Sequence, residues 1–323
     1  MPLPTGDVIG ILGDNLRLRN SVLPLPTKVA TKWTEGLDLP RGGETVLYTG
    51  MMYQLIPYIE GLVKAEIKFG DSWLGNYTGL GRRVNRFINV SAFMARPSAE
   101  ERAVYDKVPI NVVHLLRKAD VKFGALYEDD LYSGALAYDL GLDEVVVEHA
   151  KKVFAAFKKH GVKTAITIDP HTTTMLRSVY PKILKGYDIE VKSYLEVLSE
   201  KGFGTNGHSV RPLSGEVVVH DSCVFARYEG VVDEPRELLA AAGVTIREPE
   251  NTGRQTWCCG GPVESLYPAK AIANAEKRVA QLREAAPDAV TMCPMCFVNL
   301  SNAAGTTMRF KDISEYLREA YAS

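Results

Sequence analysis

The sequence predicts an α/β protein made of two tandem, pseudo-repeated units, each with a mostly parallel sheet. Three observations carry this. Short β-branched runs alternate with segments of helical period, the pattern of parallel-sheet units. One order of events, a helix, a strand and a Pro-containing loop, occurs twice, in "EHAKKVFAAFKKHGVKTAITIDPHTTT" and in "KAIANAEKRVAQLREAAPDAVTMCPMC". All five cysteines of the 323 residues lie in the second unit, around its strand ends.

Residues 1–43 are rich in Pro, Gly and Asn and show no sustained period, so they read as an arm or linker with little core. Residues 44–200 form the first unit. Its opening strand, in "ETVLYTGMM", ends at Gly50; its later helix puts Ala150, Val153, Phe154 and Phe157 on one face and reaches a C-cap at Gly161. A strand and "DPHT" follow. Residues 201–323 form the second unit: the strand and loop "EVVVHDSC", the loop "WCCGGPVES" leading into a helix with Ile272, Ala275, Val279 and Leu282 on one face, a strand, then "CPMC". Aligning the copies sets Met51 opposite Cys223, "YEDDLYSG" opposite "WCCGGPVES", Asp169 opposite Cys293 and Thr172 opposite Cys296. The first copy has no thiol at any of these places.

Composition narrows the function. With 46% hydrophobic residues and 24% charged, the chain is an ordinary globular protein with enough apolar material for a sizeable core. The 38 basic and 39 acidic residues nearly cancel, which leaves no electrostatic footprint for nucleic acid or an anionic membrane. The opening residues lack the charged and apolar regions of a signal peptide, and no apolar run is long enough to span a bilayer. A cytoplasmic protein is expected, and in that reducing compartment clustered thiols point to metal binding or catalysis rather than structural disulfides.

Three chemistries compete for the thiols. A structural zinc takes four thiolates and leaves the vicinal Cys258–Cys259 pair and a fifth cysteine unexplained. A thioredoxin-like couple uses only Cys293 and Cys296. An iron–sulfur cluster accepts several soft ligands on several irons, so it accommodates five cysteines from three loops most simply. Helix N-termini after the strands would favour thiolates, and Gly260 and Gly261 permit close backbone approach.

The pattern of a lone Cys223, the Cys258-Cys259-Gly260 triplet and the Cys293-x-x-Cys296 pair resembles the cysteine-rich CCG domain of the heterodisulfide reductase family, found in its B and D subunits. Similar domains occur in the K subunit of the sulfite-reduction-associated membrane complex, in the C subunit of anaerobic glycerol-3-phosphate dehydrogenase and in lactate-utilisation iron–sulfur proteins. The resemblance covers about residues 44–323, and it implies two tandem CCG-type domains. It further implies a noncubane four-iron four-sulfur (4Fe-4S) cluster bound by Cys223, Cys258, Cys259, Cys293 and Cys296, and redox chemistry on a thiol, disulfide or related sulfur substrate. Because Met51, Asp169 and Thr172 stand where the first copy would need cysteines, at most one such cluster is implied. Electrons would then come through a ferredoxin-like C-type iron–sulfur subunit, within a complex that could include a flavoprotein or a membrane component. The arm is a candidate docking element for that subunit, or a cover for its own domain. The rival reading is a noncatalytic relay or assembly subunit, or a zinc-bound structural domain.

Other polar residues complete the expectation. His220, three residues before Cys223, is a candidate proton donor to a leaving thiolate. His171, in the loop matching Cys-x-x-Cys, is expected to line a substrate cleft where the two strand-end loops face each other. Glu128, Asp129 and Asp130 could join His171 around a metal, or simply form a solvated acidic loop. Trp257 is placed to shield the cluster from water.

Overall fold

The computed structural model describes residues 5–69, 97–204, 211–261 and 267–321. Two four-stranded sheets, both wholly parallel, organise the chain. Strands β1 (Thr45–Tyr48), β2 (Gly124–Ala125), β3 (Thr164–Thr167) and β4 (Glu190–Ser193) lie in the order β2-β1-β3-β4, and β5 (Glu216–Val219), β6 (Thr245–Arg247), β7 (Asp288–Thr291) and β8 (Arg309–Asp312) repeat it as β6-β5-β7-β8. Runs such as Val217-Val218-Val219 are continuous rather than alternating because helices cover both faces of a parallel sheet.

The strand register makes the repeat explicit. Thr45 pairs with Thr164 in the first sheet, and Val217 pairs with Asp288 in the second. Counting forward from those pairs puts Met51 on Cys223, Asp169 on Cys293 and Thr172 on Cys296, as the sequence alignment expects. Both β3 and β7 run into a helix with proline at its first position, where a missing N–H costs nothing.

Ten helices are used below: α1 (Thr5–Arg19), α2 (Met52–Phe69), α3 (Ala99–Lys118), α4 (Asp143–Lys159), α5 (Pro170–Thr174), α6 (Tyr194–Glu200), α7 (Asp233–Ala241), α8 (Pro268–Ala285), α9 (Pro294–Ala304) and α10 (Ile313–Tyr321). Gly161 takes φ +69° just past the end of α4, as a C-terminal stop requires. Among the described residues no helix is long and apolar enough to cross a membrane.

Two expectations change. Residues 1–43 do lie against the first unit, but with more core than expected: α1 lies along α4, Arg17 pairs with Glu148 at 3.0 Å, and Leu16, Val22, Trp33, Leu37 and Leu39 are buried. Its glycines and prolines hid a helix whose apolar side is narrow. In α8 the buried residues are Ala271, Ala275, Arg278, Val279 and Leu282, while Ile272 is 56% exposed, so the inward stripe sits one residue earlier and includes an arginine.

The halves share one hydrophobic cluster. It runs from Leu47, Ile56, Val112 and Leu116 through Leu195 and Leu198 to Leu238, Leu239, Ile313 and Leu317, and across the seam α2 packs on α9, α3 on α10 and α6 on α7. Each fully buried aliphatic side chain of this kind contributes roughly 1.5–3 kcal/mol. Polar ties cross the same seam, with Tyr53 Oη donating to Asp312 Oδ2 at 2.7 Å and Thr174 Oγ1 to Glu229 Oε1 at 2.7 Å.

Candidate metal centre

In open parallel sheets, ligands collect beyond the carboxyl ends of the strands where the chain order reverses. In the second sheet that point lies between β5 and β7. Cys223 follows β5 and opens a helical turn that widens into a π-helical turn over Phe225–Glu229. Cys293 is the N-cap of α9, with Cys296 one turn in, and Cys258 and Cys259 sit in the loop after β6.

The loops are fixed by groups other than the thiols. The Asp221 carboxylate, 1% exposed, is gripped by Arg236 at 2.8 and 2.9 Å and accepts from Gly253 N at 2.7 Å, while Thr256 Oγ1 donates to the Asp221 carbonyl. This ties the loop of Cys223 to the loop of Cys258. Gly260 has φ +85°, and a Cβ there would stand 2.6 Å from the Ala271 carbonyl oxygen, so only glycine lets the loop pass against α8.

All five cysteines are free thiols. Their contacts form a chain from Cys223 through Cys258, Cys259 and Cys296 to Cys293. Cys259, Cys293 and Cys296 are buried, and Cys223 and Cys258 are half-buried on the solvent side. Hydrogen bonds from Cys223 and Cys259, with the Gly260 N–H at 3.3 Å, hold Cys258 far below the usual thiol range. Burial pushes Cys293 up, but Cys296 and His171 outweigh it and pull it well down. Cys223, as the donor to Cys258, is pushed up, and so are Cys259 and Cys296, chiefly by their own thiol contacts. Five soft donors whose protons are shared in this way could hold a metal centre, and loading it would release those protons.

His171 Nδ1 lies 3.9 Å from Cys293 Sγ, so the two strand-end loops do face each other across the seam. Burial lowers its pKa, but Cys293 together with Asp169 and Asp139 raises it to about 9. His171 therefore carries a proton at neutral pH. His220 behaves oppositely. Arg278 Nε donates to its Nδ1 at 3.1 Å, and an imidazolium has no acceptor nitrogen, so the ring is neutral with its hydrogen on Nε2. Burial and Arg278 hold its pKa down to about 3. A ring nitrogen of His220 and the sulfurs of Cys259 and Cys296 lie within 4.8 Å of one another. The acid expected at His220 is thus a hydrogen-bond donor, and the protonated histidine is His171.

The acidic loop of the first half does not gather around His171. Glu128 pairs with Arg41, Asp129 with Lys159 and His160, and the buried Asp130 accepts from Thr49 N, Thr49 Oγ1 and Gly50 N. Trp257 stands beside Cys258 under the Lys277 ammonium, 3.9 Å from its ring centre. The residue that sequence reasoning missed is Arg278. Its signal was the match between the buried positions 271, 275, 278, 279, 282 of α8 and 146, 150, 153, 154, 157 of α4.

Residues 217–301 match the family described as the CCG cysteine-rich domain. The chain is similar to a probable iron–sulfur-binding oxidoreductase, FadF, of Bacillus subtilis (32% identical; 61% of this chain, 28% of FadF). It is also similar to an EtfAB:quinone oxidoreductase of Syntrophomonas wolfei (30% identical; 67% and 32%). A third relative is the D subunit of the dihydromethanophenazine:CoB–CoM heterodisulfide reductase of Methanosarcina barkeri (28% identical; 64% and 53%). The alignments span from under a third to about half the length of these relatives. The segment that matches the CCG cysteine-rich domain contains all five cysteines, and the similar proteins include a heterodisulfide reductase D subunit and a FadF-type iron–sulfur-binding oxidoreductase.

Proposed function

We propose that this CCG-domain protein holds a noncubane four-iron four-sulfur cluster on Cys223, Cys258, Cys259, Cys293 and Cys296. In this reading it is the redox subunit of a heterodisulfide-reductase-like enzyme acting on a sulfur compound, with electrons exchanged through a partner iron–sulfur subunit. The observation that carries the reading is the convergence of five free thiols from three loops, more soft donors than a zinc ion takes. Iron–sulfur binding in the name of a relative and a heterodisulfide reductase subunit among the others support it.

A cluster bound there supplies electrons singly and an iron site with affinity for sulfur. The chain's own residues supply the rest. His171 holds a proton at Nδ1 beside Cys293, with Asp139 and Asp169 near enough to favour the charged ring, where a departing thiolate needs one. The half-buried Cys223 and Cys258 mark the side from which a substrate enters, and Trp257 next to them limits water. The first half contributes a wall of polar groups rather than a second cluster.

The test is anaerobic purification followed by iron, acid-labile sulfide and zinc analysis, and turnover of a disulfide with an artificial reductant. Iron and sulfide in equal amounts with disulfide cleavage are expected; zinc without sulfide would sink the reading. A second reading, an electron relay without catalysis, draws on the similarity to a quinone-linked oxidoreductase. Reducible iron with no cleavage of any disulfide would favour it.

A further inference from the structure

Among the described residues Arg278 is the largest side chain buried to below 2% exposure, in a helix whose other buried residues are Ala, Val and Leu. Among the described residues no carboxylate lies within hydrogen-bond distance of it. Its guanidinium donates to His220 Nδ1 at 3.1 Å, the Asn251 carbonyl at 2.8 Å and Gln281 Oε1 at 3.1 Å, with Thr256 Oγ1 at a long 3.5 Å. The nearest acids, Asp221 and Glu248, are both held by Arg236. A buried charge with only neutral partners is unfavourable unless an anion lies close by. Burial lowers the Arg278 pKa to about 10, still charged at neutral pH, and Cys296 is among the groups that favour the charged form.

The repeat supplies the control. Strand register places Tyr48 where the second half has His220, and the matching buried stripes place Val153 where it has Arg278. Tyr48 is fully buried and packs edge-on against Phe157 at 5.0 Å. In the copy without thiols, therefore, the charged pair is replaced by an aromatic and an aliphatic residue. The buried charge beneath the strand ends tracks the presence of cysteines.

We propose that Arg278 and His220 are a positioning pair that presents a fixed positive charge and a directed Nε2–H to the Cys259–Cys296 side of the centre, stabilising its reduced, more negative state. The Nε2 atom of His220 has no other hydrogen-bond partner among the described residues, and its tautomer is fixed by a donor that cannot accept. Neither residue ligates iron in this scheme; both act through charge and orientation, as hydrogen bonds and burial around cluster sulfurs do. The inference rests on the reading that the five cysteines hold an iron–sulfur cluster.

The experiment is a redox titration of the reconstituted protein, followed by electron paramagnetic resonance, with iron measured in every sample. Arg278→Met, Arg278→Gln and Arg278→Lys are compared with Lys277→Met, which removes the same charge from an exposed position one residue away. The neutral variants are expected to keep iron and to shift the reduction equilibrium at least tenfold toward the oxidised form, about 59 mV for a one-electron couple. Arg278→Lys should recover most of that, and Lys277→Met should shift it less than threefold. Loss of iron in both neutral variants with retention in Arg278→Lys would support the same role for the charge. An unchanged equilibrium in a neutral variant that holds iron, an equal shift from Lys277→Met, or loss of iron in all three Arg278 variants would overturn it. Wild-type protein without iron would instead overturn the cluster reading beneath it.

Discussion

The two halves of this molecule have the same strand order and the same register, yet the ends of their strands are furnished oppositely. Beyond β5 and β7 the chain gathers soft sulfurs over a buried guanidinium. Beyond β1 and β3 it gathers hard oxygens: Asp169 caps α5 by accepting from Thr172 N at 2.9 Å, and Asp130 clamps Thr49 and Gly50. The space a cluster would need there is filled. A Cβ on Gly50 would fall 2.3 Å from Thr172 Oγ1 and 3.1 Å from Ser133 Cβ. The lesson is that one backbone can carry a site or a packed polar plug, and side chains at a handful of equivalent positions decide which.

Breaking the second half should have the largest effect. Cys259→Ser, at the middle of the thiol chain, is expected to abolish nearly all iron binding, whereas Asp169→Ala should leave iron content as in the wild type; elemental analysis of anaerobic preparations decides. Next comes the residue that reaches across the seam. His171→Gln removes the proton beside Cys293 and should lower kcat about 100-fold, the lower end for a positioned acid, with iron content and cluster spectrum unchanged. A rise in KM alone, with kcat intact, would reduce His171 to a substrate contact.

The plug of the first half can be probed by stability. Asp130→Ala orphans the buried donors of Thr49 and Gly50 and should cost about 2 kcal/mol in chemical denaturation. The same carboxyl has a sign in pH. Burial above all raises its pKa to about 7, against about 3.9 in an unfolded chain. The folded state thus binds the proton more tightly, so the stability linked to Asp130 is present below about pH 4 and is lost as the pH rises through 7. Asp130→Asn should flatten that part of the stability profile. The smallest effect is expected from grafting. Met51→Cys, Asp169→Cys and Thr172→Cys together should add no iron, because Gly50, Ser133 and Asp130 still occupy the volume.

The sequence showed the architecture through periodicity and the proline that follows both Asp169 and Cys293, since strand ends before a helix N-terminus have a local signature. The five cysteines were legible because thiols are scarce. What stayed hidden depended on partners distant in sequence. Arg278 reads as part of a solvated helix face until its inward position is known, and Ile272 reads as core for the same reason. Asp130 reads as one of three surface acids, although its neighbours Glu128 and Asp129 alone are satisfied by surface cations. The protonation states of His220 and His171 depend on Arg278 and Cys293, which sit against them from far along the chain. The helix Thr5–Arg19 was masked by glycines that packing against α4 overrides.

The apolar layer common to both halves has a bearing on how such a chain can change over time. Leu238, Leu239, Ile313 and Leu317 of the thiol-bearing half find their cover on Leu116, Leu195 and Leu198 of the other. A copy without thiols cannot then be discarded as matter, because its removal would strip the other copy's helices to water. Duplication here acts as a ratchet: the first half carries no thiol at its strand ends, where Asp169, His171 and Thr172 stand, but is bound to persist along its helices.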